Sequence, residues 1–247
     1  AGDIKQTTAQ RLLGQLSQAW KGEKVNIPKI PRVEPPSKPK VFFIDIPDAK
    51  QSAISVGTLT IPGNDPELFK LTVVNNRLGG GMEARLMRTL RLEKGYTYGA
   101  GSFLRANSFQ TPFYAYSQVR SNVTLESLDI FKNIINSYSE SYNEEDLETT
   151  KNKLIKSNAL RFERLGSMIN MLDTMSKFNL GDAYILDEQE VLSSMKLDEA
   201  KSLAKKRLDG KKMYYVVAGD AKSQLGRISK LGYGKPVILD RDGNKVK

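Results

Sequence analysis

Residues 75 to 99 run Asn75-Asn76-Arg77-Leu78-Gly79-Gly80-Gly81-Met82-Glu83-Ala84-Arg85-Leu86-Met87-Arg88-Thr89-Leu90-Arg91-Leu92-Glu93-Lys94-Gly95-Tyr96-Thr97-Tyr98-Gly99. A helix enters this stretch and ends in the glycine triplet. A second helix, Met82 to about Leu92, carries Arg85, Arg88 and Arg91 and stops at Gly95, before a strand that starts near Tyr96. Nucleotide-binding glycine loops follow a strand and are succeeded by Gly-Lys-Ser/Thr. This triplet follows a helix and lacks that ending, so it reads as a tight helix–helix turn. Arg91 closes one element and Tyr98 lies in the next, so a guanidinium and a phenol converge on one spot. Both donate hydrogen bonds and together suit a carbonyl oxygen that gains negative charge. Taken alone, the pair is more often a surface arginine and a half-buried sheet tyrosine.

Upstream, Val41-Phe42-Phe43-Ile44-Asp45-Ile46 and Ser52 to Ile61 alternate in the manner of strands, with Pro47-Asp48 turning between them. Asp65-Pro66 opens the helix that runs through Leu68, Leu71, Val74 and Leu78. Downstream, Tyr96 to Ala106 and Thr111 to Arg120 form a hairpin around Asn107-Ser108. Leu125, Leu128, Phe131, Ile135 and Tyr138 share one face of a helix over 124–142. Asn143-Glu144-Glu145-Asp146 caps the next, and further helices are expected over 167–178, 187–195 and 198–208. Met213 to Ala218 is a buried strand, and Pro236 to Leu239 adds an edge. Strands at hairpin spacing followed by a helical run predict an α+β fold, a two-layer sandwich with helices on one face of a mostly antiparallel sheet. Ahead of it, residues 4–20 predict an amphipathic helix with Leu12, Leu13 and Leu16 on one face, packed down by Trp20. Pro28, Pro31, Pro35, Pro36 and Pro39 then make an extended linker, with a domain boundary near residue 38.

The chain has 247 residues, 38 basic and 28 acidic, with a formal charge of +10 and neither Cys nor His. Without Cys there is no disulfide, thiolate metal site or cysteine nucleophile. Without His there is no Ser-His-Asp triad, imidazole base or imidazole ligand. The positive excess sits at the two ends, and its densest cluster, Lys201 to Lys212, lies at a helix end that favours cations. A solvated face therefore outweighs a nucleic-acid site. No stretch reaches the roughly 20 apolar residues of a membrane span. Glu144, Glu145, Asp146 and Glu148 read as a solvated helix start, and Met168, Met171 and Met175 as core filling.

The segments Gln51-Ser52 through Val56-Gly57, Asn75 through Leu86 and Leu90 through Tyr98 resemble the pitrilysin (insulinase) family of zinc peptidases. More narrowly, they look like the zinc-free second domain of its bacterial processing-peptidase-like members. That resemblance covers residues 39–230, with residues 1–38 as inter-domain helix and linker. It implies the sandwich of the metallohydrolase domain of mitochondrial processing peptidase. The family's zinc motif, H-x-x-E-H, belongs on the helix from Leu68 to Leu78, which holds Lys70 and Asn76 but no His. Zinc is thus expected in a partner and no cofactor in this segment. The resemblance further implies a zinc-bearing homologous domain or subunit, and an unfolded peptide held between the halves as an added strand. Arg91 and Tyr98 fall on the pair that binds substrate carbonyls, and Gly79, Gly80 and Gly81 on the glycine segment that meets substrate. Taken alone, the segment would be inactive. The alternative is a structural or interaction module of the same descent. Family habit suits a bacterial periplasm or cell envelope, with the cytoplasm still open.

Overall fold

The computed structural model describes residues 2–22, 25–26 and 28–246. Two strands, β1 (Lys40–Asp45) and β2 (Gln51–Leu59), lead into α2 (Glu67–Gly79), the leader helix α1 being Gln6–Ala19. Asp65 accepts the Glu67 N–H at 2.8 Å, capping α2 as its Asp-Pro opening predicts. A single turn, α3 (Arg85–Met87), runs into a π-helical turn over Arg88–Glu93. The hairpin β3 (Thr97–Leu104) and β4 (Pro112–Arg120) follows. Next come α4 (Thr124–Ser141), α5 (Glu144–Ala159), α6 (Leu165–Phe178), α7 (Tyr184–Ser194) and α8 (Leu197–Arg207), then β5 (Tyr214–Gly219), α9 (Ala221–Ile228) and β6 (Val237–Leu239).

All six strands join one sheet in the order β3-β4-β2-β5-β1-β6. The three pairings from β3 to β5 are antiparallel, and β5-β1 and β1-β6 are parallel. Strand side chains alternate between faces. One set, including Val41, Phe43, Ile54, Val56, Phe113, Ala115, Tyr215 and Val217, is buried under helices. Leu71, Val74 and Leu78 of α2 and Leu128, Phe131, Ile135 and Tyr138 of α4 complete that core. The fold is the expected α+β sandwich.

Four expectations need correction. Regular helix starts at Arg85 rather than Met82 and passes at once into the π turn, in which Leu90 is buried and Arg91 is exposed. The leader helix does form, but it carries no buried residue, and Trp20 is 73% exposed instead of packing it down. Asp146 is not solvated: it is buried and held by two arginines. On α6 the three methionines are only half-buried, and Leu165, Ile169 and Leu172 are exposed. Part of the Pro-rich segment also adheres to the sandwich. Pro36 is buried, and Val33 exchanges two backbone hydrogen bonds with the Gln110 side chain, at 2.7 and 2.9 Å.

Candidate functional site

The end of α2 lies directly on β3. A Cβ on Gly79 would stand 2.1 Å from the Ser102 nitrogen, so only glycine permits this approach. One turn earlier, buried Asn75 accepts the Ser102 hydroxyl at 2.6 Å and donates to the Ser102 carbonyl at 3.1 Å. These bonds seal the outer strand at that point against pairing with another chain. Gly79 is therefore enclosed, while Gly80 is exposed and Gly81 partly so. Lys153 Nζ reaches over from α5 to the Gly80 carbonyl and Asn76 Oδ1, 3.3 Å from each.

Arg91 stands in the π turn, where the Lys94 N–H reaches back to Thr89 at 3.1 Å and Gly95 turns with φ 62°. Adding a residue to a helical turn rotates the side chains that follow, which aims Arg91 off the line of α3. The Arg91 guanidinium lies 3.8 Å from Met82 Sδ, next to the glycine turn. Tyr98 stands in a second irregularity, a β-bulge between Thr97 and Ala100. The Gly99 N–H donates to Thr97 Oγ1 at 3.0 Å, and Ser117 Oγ donates to the Gly99 carbonyl at 2.9 Å, which fixes the bulge. Its phenol is 90% exposed. Among the described residues no hydrogen bond joins Arg91 to Tyr98. The structure thus brings Arg91 to Met82, which follows the glycine turn, and puts Tyr98 on the face of the sheet opposite the helices.

That face is bare. A depression of about 530 Å³ crosses it, lined by Gln51, Ala53 and Ser55 of β2, Tyr98 and Gly99 of β3, Tyr116 and Gln118 of β4, and Val216 and Ala218 of β5. Phe103 stacks on Tyr116 with ring centres 5.4 Å apart, and Tyr114 lies 5.9 Å from Phe103.

A buried ion cluster underpins the Arg91 segment. Asp146 receives Arg77 Nε at 2.9 Å and an Arg85 nitrogen, and it closes a capping box with Asn143 at the start of α5. Arg85 also lies 5.0 Å over the Tyr138 ring. Burial pushes the Tyr138 phenol well above its ordinary pKa, so it stays neutral and donates to the Val74 carbonyl. Sequence reasoning missed this cluster, although the Asn143-x-x-Asp146 spacing is a capping-box signal.

The family's zinc motif is missing from this chain, which has no histidine. The helix where H-x-x-E-H would lie offers Lys70 and Asn76, and among the described residues no three Asp, Glu, His or Cys converge on a point.

A metallopeptidase-like sandwich without metal ligands is the class that this fold and site define. The chain belongs to the family described as Peptidase M16 inactive domain, whose model matches residues 1–154. It is 28% identical over 185 residues to the non-peptidase homolog YmxG of Helicobacter pylori, across 73% of this chain and 41% of that protein. A crystal structure of a peptidase M16 inactive domain from Pseudomonas fluorescens superposes with a TM-score of 0.74 at 26% identity, over 89% of this chain and 52% of that one. The periplasmic protease PqqL of Escherichia coli shares the fold, with a TM-score of 0.67 at 12% identity over 89% and 24% of the respective chains. The chain therefore spans about half, or less, of the length of these three relatives. Among the described residues no helix is long and apolar enough to cross a membrane.

Proposed function

We propose that this chain is the zinc-free half of a two-part M16 assembly and holds an extended, unfolded polypeptide. In this reading Arg91 and Tyr98 donate to peptide carbonyls, and the exposed Gly80 and partly exposed Gly81 offer backbone groups on the Arg91 side. A separate H-x-x-E-H domain or subunit supplies zinc and activates water. The observation that carries the reading is placement: both side chains stand at irregular backbone, a π turn and a β-bulge, the devices that re-aim residues at working sites. A phenol left 90% exposed on a fixed bulge gains nothing for the fold and is free to meet a partner. A periplasmic or cell-envelope location accompanies this reading, and cell fractionation tests it.

The test is reconstitution with the zinc-bearing half and cleavage of an unfolded peptide. Loss of one donor to a developing oxyanion typically lowers turnover by roughly 10²–10³-fold. Arg91→Ala and Tyr98→Phe should each do so while leaving the circular dichroism spectrum unchanged. Unchanged turnover in both variants overturns the assignment. A second reading, a non-catalytic module, draws on the likeness to a protein named as a non-peptidase homolog. It predicts that the reconstituted pair binds polypeptide or assembles with a partner but leaves the peptide intact.

A further inference from the structure

We infer that the depression beside Tyr98 receives a large apolar side chain, aromatic by preference, from the bound polypeptide, and rejects charged ones. This rests on the peptide-holding reading above and names the substrate class for that site. The two faces of the sheet are built differently. The helix-covered face is close-packed, chiefly by aliphatic and aromatic groups, with the buried Ser52, Ser102 and Ser117 among them. The bare face carries tyrosines with free polar tips, small residues and amides, the composition of a surface that is covered intermittently and stays wet.

Within it, Ala53, Ser55, Gly99 and Ala218 form a floor of small side chains, and Tyr98 and Tyr116 form walls. Phe103 and Tyr114 pack against Tyr116 from the side. At about 530 Å³ the depression falls in the range of small-ligand pockets and suits one or two side chains rather than a folded element. None of the residues that line it is charged. A carboxylate or ammonium entering it would lose water and find no counter-ion, whereas an aromatic ring would lose only hydration it gains by losing. Gln51 and Gln118 supply amide groups at the margin for the peptide backbone. The occupant is the polypeptide rather than a second copy of the chain because the depression shares Tyr98 with the proposed carbonyl-binding pair. The bonds from Thr97 and Ser117 hold that bulge in place beforehand, which lowers the ordering cost of binding.

The experiment is a titration of the ¹⁵N-labelled chain with neutral extended peptides that differ only at one central residue: Phe, Leu, Asp or Lys. With Phe and Leu, the amides of Ala53, Ser55, Gly99 and Ala218 should shift, with at least tenfold tighter binding than for Asp or Lys. Ala53→Phe fills the floor and should abolish that preference. Should it fail to fold, Tyr116→Ala removes a wall and should weaken Phe binding alone. Equal affinity for all four peptides, or shifts confined to Met82 and Arg91, overturns the side-chain pocket and leaves the peptide-holding function standing. No shift with any peptide at millimolar concentration overturns both. Shifts of these amides on dilution without peptide would make the face a contact between copies and overturn the inference as well.

Discussion

Gly79→Ala separates folding from function in the glycine triplet. The new Cβ would lie 2.1 Å from the Ser102 nitrogen, 2.3 Å from its hydroxyl and 2.6 Å from the Gly101 carbonyl carbon. Two of these are backbone atoms of a paired strand, so relief requires α2 and β3 to move apart by more than 1 Å, on the order of the shortfall from van der Waals contact. Overpacking of this kind costs about 1–3 kcal/mol. The same movement stretches both Asn75–Ser102 hydrogen bonds, each worth about 0.5–1.5 kcal/mol net. Alanine returns about 1 kcal/mol through helix propensity at the last residue of α2. The net loss is about 1–5 kcal/mol, or roughly 2–20 °C in melting temperature for a chain of this size. Urea unfolding followed by circular dichroism reads it as a lower midpoint at unchanged slope. Gly99→Ala is the control, since no heavy atom lies within 4 Å of its Cβ, and it should stay within about 0.5 kcal/mol of the parent. A Gly79→Ala protein as stable as the parent, or a Gly99→Ala protein equally weakened, refutes the close-approach account and returns Gly79 to the substrate-facing set.

Asp146→Asn strips the charge from between Arg77 and Arg85, whose side chains are only 22% and 24% exposed. A loss of about 2–4 kcal/mol is expected by calorimetry, with faster hydrogen exchange over 85–93. Glu67 accepts from Arg207 at 2.7 Å and from Lys206 at 3.1 Å. The Arg207 hydrogen bond, ahead of the other contacts, holds its carboxyl below the usual range. Because its folded pKa is depressed, its stabilisation is complete above the unfolded carboxylate pKa of about 4.3 and fades as pH falls through the folded value. Glu67→Gln should therefore cost about 0.5–1 kcal/mol at pH 7, the range for a half-exposed pair, and converge on the parent only as pH falls through the depressed folded value, read in urea titrations. Leu13→Asp and Leu16→Asp replace side chains 63% and 54% exposed, and each should leave the unfolding midpoint within about 0.5 kcal/mol of the parent.

Elements whose evidence is local were legible in the sequence. The face shared by Leu128, Phe131, Ile135 and Tyr138 marks α4 because helical period and burial agree there. The alternation of β2 and β4 likewise appears in their registered pairing, Gln51 with Arg120 through Leu59 with Pro112. What escaped depends on distant partners. The capping box at Asn143 is a four-residue signal, but Arg85 and Arg77, which bury Asp146, arrive from 61 and 69 residues away. The leader pattern shows that α1 has an apolar face, and its periodicity cannot say what that face meets. Here the sandwich does not cover it.

The two most informative departures from regular structure bear directly on the site. A run from Met82 to Leu92 looks helical by composition, yet its backbone opens into a π turn at Arg91. The strand that begins at Thr97 alternates well, yet it bulges at Tyr98. Neither departure improves packing: Arg91 and Tyr98 are both exposed. Local rules that fail without a gain in stability are the expected mark of residues kept for work outside the fold. Arg91 and Tyr98, two of the positions singled out by the family resemblance, each stand at such a departure, and that coincidence is why the proposal rests on this pair.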